Sequence, residues 1–170
     1  MKLVIISGDI LKVPADTLIC SANIFLNLSG GVGGGLRVAF GDAVADRIQR
    51  ELHAGIAGRP GQRANPGEVF WTSGEGTPFE QIIHAIAIDG MYQSTVEMVR
   101  ETMVRAMGLA AGHGARRVAL AALGTGYGHL SMEQFGRAAA ALGREFPSIE
   151  TVTICVRKGD EAEQLRKLMT

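Results

Sequence analysis

Residues 27–41 read NLSGGVGGGLRVAFG and hold six glycines in fifteen positions. Glycine is unfavourable inside a helix or a strand, so a segment that concentrates it indicates a backbone that something must approach closely. A second cluster, GTGYGH, occupies residues 124–129. Each cluster follows an apolar, strand-like segment and precedes a segment with helical periodicity. The sequence therefore predicts two loops at the edge of a sheet, where α/β proteins bind their ligands.

Strands and helices alternate around these two loops. The apolar segments predict strands over 2–7, 15–22, 68–74, 81–88, 116–123 and 151–156. Helical periodicity and capping patterns predict helices over 36–54, with a break near Gly41, over 94–111, from Ser131 to about residue 145, and over 159–169. Ser94 with Glu97, and Ser131 with Gln134, form capping-box patterns. The alternation predicts one α/β domain over residues 1–170, with a largely parallel sheet covered on both faces.

Composition and charge exclude several classes of protein. Lysine plus arginine equals aspartate plus glutamate, 17 each, so no overall field attracts the chain to nucleic acid or to an acidic membrane. Cys20 and Cys155 lie in apolar segments without metal-ligand spacing, which indicates a reduced, cytoplasmic protein that holds no metal. The chain opens without a signal-peptide pattern, and no apolar run approaches the ~20 residues that span a bilayer.

The glycine clusters indicate a phosphate-bearing ligand. Backbone N–H groups in such loops, together with a helix N-terminus, favour anions, and two loops suggest a diphosphate held from both sides. Tight turns alone are the alternative explanation. The motif G-x-x-x-x-G-K-[ST] is absent, and G-x-G-x-x-G fails because Leu36 and His129 stand where its third glycine would be. An NAD(P)-dependent enzyme is thus only a weak second hypothesis.

The order of several short motifs is more specific than either cluster. Along the chain come GDI (8–10), ICSAN (19–23), SGGVGGGL (29–36), PGE (66–68), IIHAI (82–86) and LGTGYG (123–128). This ordered set resembles the macro domain family over nearly the whole chain. The resemblance implies a three-layer α/β/α sandwich with a mixed, largely parallel central sheet. It also implies a cleft that binds ADP-ribose and needs no cofactor.

The resemblance assigns a role to each matching residue. Asp9 would accept a hydrogen bond from the adenine amino group, Ile10 would add a backbone contact, and Asn23 would hydrogen-bond the distal ribose. The first phosphate loop would be Gly30, Gly31, Val32 and Gly33, and the second would be Gly124, Thr125, Gly126, Tyr127 and Gly128. From the residues alone, a turn or helix cap is the better interpretation of Asp9. Tyr127 either packs on a ribose or is an ordinary loop tyrosine.

The match weakens where catalysis is concerned. In the family branch that removes ADP-ribose from carboxylates, an aspartate follows the glycine-valine of the first loop, and Gly33 replaces it here. A covalent-lysine route has no nucleophile, since no lysine lies between Lys12 and Lys158. No catalytic residue is identified, and Asn23 is the best candidate for positioning ribose and water.

We therefore expect a module that binds free ADP-ribose or a mono-ADP-ribosylated protein, with weak or no hydrolysis. The alternative is a hydrolase of ADP-ribosyl esters, such as an O-acetyl-ADP-ribose deacetylase, in which the substrate assists attack by water. A domain that binds RNA ends is a poorer hypothesis because the chain carries no net charge. The sequence predicts no oligomeric state.

Four further side chains bear on catalysis or on adenine binding, and for three of them we favour a purely structural role. His84 alternates with apolar residues, which favours a hydrogen-bonded core histidine over a general base. Cys20 is expected to be a small apolar filler. His129 ends the second glycine loop near the expected ligand, and a solvated loop histidine is favoured over a catalytic one. Arg157 or aliphatic surface would have to support adenine, because residues 155–157 hold no aromatic side chain.

Overall fold

The computed structural model describes residues 1–142 and 146–169. Its strands are β1 (Lys2–Ser7), β2 (Thr17–Ser21), β3 (Val69–Ser73), β4 (Gln81–Ala85), β5 (Arg117–Ala121) and β6 (Thr151–Val156). Its α-helices are α1 (Gly31–Phe40), α2 (Asp42–Ile56), α3 (Val96–Gly112), α4 (Met132–Ala139) and α5 (Gly159–Met169). Each of the six predicted strands is present: β1 and β6 have the predicted bounds, and the other four are two or three residues shorter.

The strands form one sheet with the order β1-β6-β5-β2-β4-β3. Every neighbouring pair is parallel except β3 with β4, which is antiparallel. The prediction of a mixed, largely parallel sheet is confirmed. Successive residues Leu18 and Ile19 of β2, and Ile82 and Ile83 of β4, point to opposite faces of the sheet, and all four are fully buried. Burial on both faces explains why these strands are apolar throughout.

Helices cover both faces of the sheet, which confirms the three-layer sandwich. On one face, the Phe70 ring of β3 packs against Gly55 of α2, 3.2 Å from where a Cβ would lie. On the other face, the side chain of Gln81 donates to the carbonyl of Ala110 in α3 over 3.4 Å. Helix α1 contacts α2 in the first layer, while α3, α4 and α5 contact one another in succession in the second.

Helix α1 begins at Gly31 instead of at the predicted Leu36, so that part of the prediction was wrong. Each glycine inside a helix costs about 1 kcal/mol relative to alanine, which is why the segment indicated a loop. A Cβ on Gly33 would lie 3.4 Å from Cα of Leu28, which is an ordinary van der Waals contact, so packing alone does not require glycine there. The predicted break is confirmed at Gly41, whose φ is +92°.

The capping pattern is correct for α4 and wrong for α3. Ser131 and Gln134 form the predicted reciprocal hydrogen bonds. At α3 the N-cap is Thr95, which accepts from the N–H of Met98, while Ser94 donates to the carbonyl of Ala87 over 2.6 Å. After α4 the chain continues as a 3-10 helix over Ala140–Leu142, and the predicted helix end near 145 lies outside the described residues. No described helix is long and apolar enough to cross a membrane.

Candidate ligand-binding cleft

A cleft of about 1130 Å³ opens at the carboxyl ends of the parallel strands. Its walls come from the segments that follow β1, β2, β4, β5 and β6, which is where an open α/β sheet presents its loops. Twelve predicted binding residues line it: Asp9, Ile10, Asn23, Gly30, Gly31, Val32, Gly33, Gly124, Thr125, Gly126, Tyr127 and Gly128. The fold thus brings residues more than a hundred positions apart to one cavity.

Asp9 lies at the end of the cleft beside the edge strand β1. Its carboxylate accepts from the N–H of Leu11 over 3.0 Å and caps the short 3-10 helix Ile10–Lys12. Exposed Arg157 and buried Val156 line the same end, because Gly8 N–H bonds the Val156 carbonyl over 2.8 Å. Asp9 therefore does act as a cap, and its remaining acceptor capacity lies in the cleft.

Asn23 organises the chain between β2 and α1. Its amide nitrogen donates to the Asn27 carbonyl over 3.2 Å, and its side-chain oxygen accepts from Phe25 N–H over 3.0 Å. Ser29 also lies within 3.4 Å of the amide nitrogen. In this arrangement Asn23 holds its own loop in shape. The Asn27 and Ser29 side chains, which the sequence did not single out, line the cleft with it.

The first glycine cluster forms the N-terminus of α1. Gly30 is the N-cap, with φ +64° and ψ 171°, a backbone conformation that is essentially restricted to glycine. Gly31 follows with φ +54°. The N–H groups in the first turn of a helix have no partner within the helix, so those of Gly31, Val32 and Gly33 are available to an anion in the cleft.

In the second glycine cluster, two glycines are required by close packing and a third is exposed to the cleft. A Cβ on Gly128 would lie 2.5 Å from the Gly124 carbonyl oxygen, and one on Gly124 would lie 2.8 Å from Cγ2 of Val99. These two positions need glycine for the packing of the loop itself. A Cβ on Gly126 would meet no atom within 4 Å. Gly126 therefore has no packing reason to be glycine, and it faces the cleft.

Tyr127 connects the two loops across the cleft. Its hydroxyl lies 2.7 Å from the position that a Cβ on Gly30 would occupy. Its ring also lies beside Tyr92, with 5.7 Å between the ring centroids. Both tyrosines are exposed, and Tyr92 adopts a positive φ of 58°. The first and second loops thus face each other closely enough for one small group to contact both.

Comparison with known proteins assigns this fold and cleft to a family. A sequence model of the Macro domain matches residues 19–139. The chain belongs to the macro domain family. An uncharacterized protein of Aeropyrum pernix is 30% identical over 161 residues, covering 91% of this chain and 78% of its own. A macro domain-containing protein of Cupriavidus necator is 31% identical over 157 residues, covering 88% and 86%.

Solved macrodomains share the fold at lower identity. The Trypanosoma brucei macrodomain in complex with ADP-ribose superposes with a TM-score of 0.80 at 18% identity, covering 99% of this chain and 69% of that one. A variant of the Oceanobacillus iheyensis macrodomain with ADPR gives a TM-score of 0.83 at 19% identity, covering 97% and 90%. The resemblance inferred from the ordered motifs is confirmed.

His84, which lines the macro domain cleft, and its neighbour Cys20 are two buried groups of low reactivity. Burial raises the pKa of Cys20 to about 12 and lowers the pKa of His84 to about 3. His84 is bonded to the Thr72 hydroxyl over 3.0 Å, and its other ring nitrogen lies 3.8 Å from the Cys20 sulfur. The predictions of a hydrogen-bonded core histidine and of an apolar filler are confirmed. Neither a thiolate nor an effective imidazole base is present here at neutral pH.

Three other residues also line the macro domain cleft. Cys155, near Asp9, donates to the Gly8 carbonyl over 3.5 Å, and burial, followed by the charge of Asp9, raises its pKa. His129 is exposed in the second loop, with φ +58°. Tyr92 was missed from the sequence because its segment, DGMYQS, has neither periodicity nor a glycine cluster.

Among the described residues, no group of three or more His, Cys, Asp or Glu side chains could hold a metal ion.

Proposed function

We propose that this macro domain binds ADP-ribose in the cleft, either free or as the mono-ADP-ribosyl group of a protein, in the cytoplasm and with weak or no hydrolysis. The observation that carries the proposal is the opposition of the two glycine loops, where the Tyr127 hydroxyl lies over Gly30. Two anion-binding loops on either side of one cavity suit a diphosphate, which has oxygens to offer to both.

The span of the cleft also suits ADP-ribose. Asp9 follows β1 and Asn23 follows β2, and the sheet order places three strand spacings between these strands. At ~4.8 Å per spacing, the two side chains begin about 14 Å apart. The second glycine loop follows β5, which lies between them. An adenine at Asp9, a diphosphate between the loops and a ribose at Asn23 would follow this order.

Three features support binding with little turnover. Gly33 provides no carboxylate to activate water, and Asn23 already uses its side-chain oxygen to hold Phe25 N–H. In the lining of the cleft, the His84 pKa near 3 leaves that imidazole too weakly basic to serve as a base. Free ADP-ribose released from O-acetyl-ADP-ribose or from a mono-ADP-ribosyl glutamate peptide over many turnovers would instead favour the ester hydrolase.

Calorimetric titration with ADP-ribose, AMP and NAD tests the binding proposal. We expect a Kd for ADP-ribose of the order of micromolar, with AMP much weaker because it carries a single phosphate. Absence of measurable binding to ADP-ribose would overturn the proposed function.

Substitutions of Asp9 test the position of adenine. Asp9→Ala should weaken ADP-ribose binding by about 1–3 kcal/mol, or roughly 5- to 150-fold, through loss of a charge-assisted hydrogen bond. Asp9→Asn separates binding from capping, because its amide oxygen can still accept from Leu11 N–H. Asp42→Ala, which removes an exposed carboxylate elsewhere, is the matched control. Unchanged affinity in both Asp9 variants would show that adenine lies elsewhere.

A further inference from the structure

A second cavity of about 640 Å³ adjoins the cleft. The two cavities share one wall residue, Asn27. Phe25 and His53 form the sides of the second cavity, Ile56 its floor, and Gln62 its rim. We refer to it as the Phe25 groove. The groove therefore begins beside the part of the cleft that Asn27 lines.

The Phe25 groove is apolar at its base, and two exposed arginines lie next to residues that line it. Ile56 is 2% exposed, whereas the Phe25 side chain is 49% exposed and available to a ligand. None of the residues that line the groove is a carboxylate. Arg50 lies one turn before His53 on the exposed surface of α2, and exposed Arg63 follows Gln62. A segment with negative charge therefore matches the electrostatics of this surface.

The charges on the neighbouring loop do not reverse this sign. Arg59 and Glu68 form an ion pair of 2.7 Å and neutralise each other. Glu68 also accepts from the N–H of Asn65 over 2.6 Å, so its carboxylate is committed within the loop. The uncompensated charge near the groove is positive.

Backbone strain concentrates around the two cavities. Among the described residues, four other than glycine have a positive φ: Leu26, Gln62, Tyr92 and His129. Gln62 lines the Phe25 groove, and the other three line the cleft. Such conformations cost about 1–3 kcal/mol each and cluster at binding sites, where the strain fixes a loop in its working position. Their distribution groups the groove with the cleft as parts of one binding surface.

We propose that the Phe25 groove binds an acidic segment of the polypeptide that carries the ADP-ribosyl group. The inference rests on the proposed function, which places the distal ribose at Asn23. Asn23 also holds Phe25 N–H and the Asn27 carbonyl, so the residue assigned to the ribose builds the wall of the groove. A chain attached to that ribose would leave the cleft beside Asn27. There the groove offers an aromatic side, the Gln62 amide and basic neighbours.

The experiment compares three ligands by calorimetry. They are ADP-ribose, an acidic peptide that carries ADP-ribose through a hydrolysis-resistant triazole link, and the same peptide with its flanking Asp and Glu replaced by Ser. We expect the acidic conjugate to bind about threefold to tenfold more tightly than ADP-ribose, from partial burial of Phe25 and screened charge pairing. The neutral conjugate should fall between them.

Two pairs of matched variants assign any gain to the groove. Gln62→Glu adds one negative charge at the rim without a change in size, and should weaken the acidic conjugate about twofold to fivefold. Gln164→Glu makes the same change on exposed α5 and should have no effect. Phe25→Ala should weaken both conjugates, whereas Val38→Ala, at a side chain that is 89% exposed, should not. ADP-ribose itself should bind all four variants as it binds the unaltered protein.

The possible failures are distinguishable. ADP-ribose binding with no gain from the acidic conjugate would overturn the role of the groove and leave the proposed function standing. A gain that survives both Gln62→Glu and Phe25→Ala would place the polypeptide elsewhere. If the unaltered protein does not bind ADP-ribose, both proposals are overturned.

Discussion

The two glycines Gly126 and Gly128 separate packing from ligand binding within one loop. A Cβ on Gly126 meets no atom within 4 Å, and its φ is not positive. Gly126→Ala should therefore fold normally, with an unfolding free energy within about 0.5 kcal/mol of the original or slightly higher. If a phosphate oxygen approaches this backbone, the added methyl should displace it and cost one hydrogen bond to a charged group. That loss is about 1.5–3 kcal/mol, or roughly 12- to 160-fold in the Kd for ADP-ribose.

Gly128→Ala should instead lower the stability of the protein. Its Cβ would lie 2.5 Å from the Gly124 carbonyl oxygen and 2.9 Å from Cβ of Ser94, so a backbone atom would have to move. We expect a loss of about 1–3 kcal/mol in unfolding free energy. Urea denaturation and ADP-ribose calorimetry on both variants make the comparison. If Gly126→Ala binds ADP-ribose as tightly as the original chain, no phosphate contacts this loop there, and the reasoning from its open glycine is wrong.

Three further predictions follow from the cleft. Gly33→Asp should fold, because its Cβ makes only a 3.4 Å contact with Leu28. It should raise the rate of hydrolysis of ADP-ribosyl esters while ADP-ribose still binds. Unchanged turnover with binding intact would refute our account of the missing aspartate. His84, neutral in the folded protein down to pH about 3 but protonated below about 6.5 when unfolded, should make stability fall as pH drops between these values. The slope should reach up to about 1.4 kcal/mol per pH unit, and denaturation of His84→Phe across this range should show that part removed. Cys20, with its pKa near 12, should resist alkylation at pH 8 unless the protein is unfolded, and rapid labelling followed by mass spectrometry would contradict its burial.

Local rules of sequence explain the elements that were predicted correctly. The capping box of Ser131 and Gln134 acts within four residues, so it can be predicted from the sequence alone. At α3 the same pattern failed because Ser94 bonds the Ala87 carbonyl and packs beneath the second glycine loop. Thr95 was left to cap the helix. A long-range contact outweighed a local preference of about 1 kcal/mol.

The candidate site was likewise predicted in part from the sequence and missed in part. The resemblance of the ordered motifs to the macro domain family predicted twelve residues, and all of them line the cleft. The start of α1 at Gly31 was not predicted, because glycines disfavour a helix locally and the structure nevertheless forms one across them.

The sequence by itself determined the layers of this macro domain, the largely parallel arrangement of its sheet and the loops that form its cleft. These follow from hydrophobic periodicity and turn chemistry, which depend on neighbours along the chain. Only the tertiary structure decided that Tyr127 crosses to Gly30 and that Phe25 and Gln62 border one groove. It also decided that a side chain has room at Gly126 but not at Gly128. Such proximities join distant residues through the closure of the whole sheet. No pattern within a short segment can encode them.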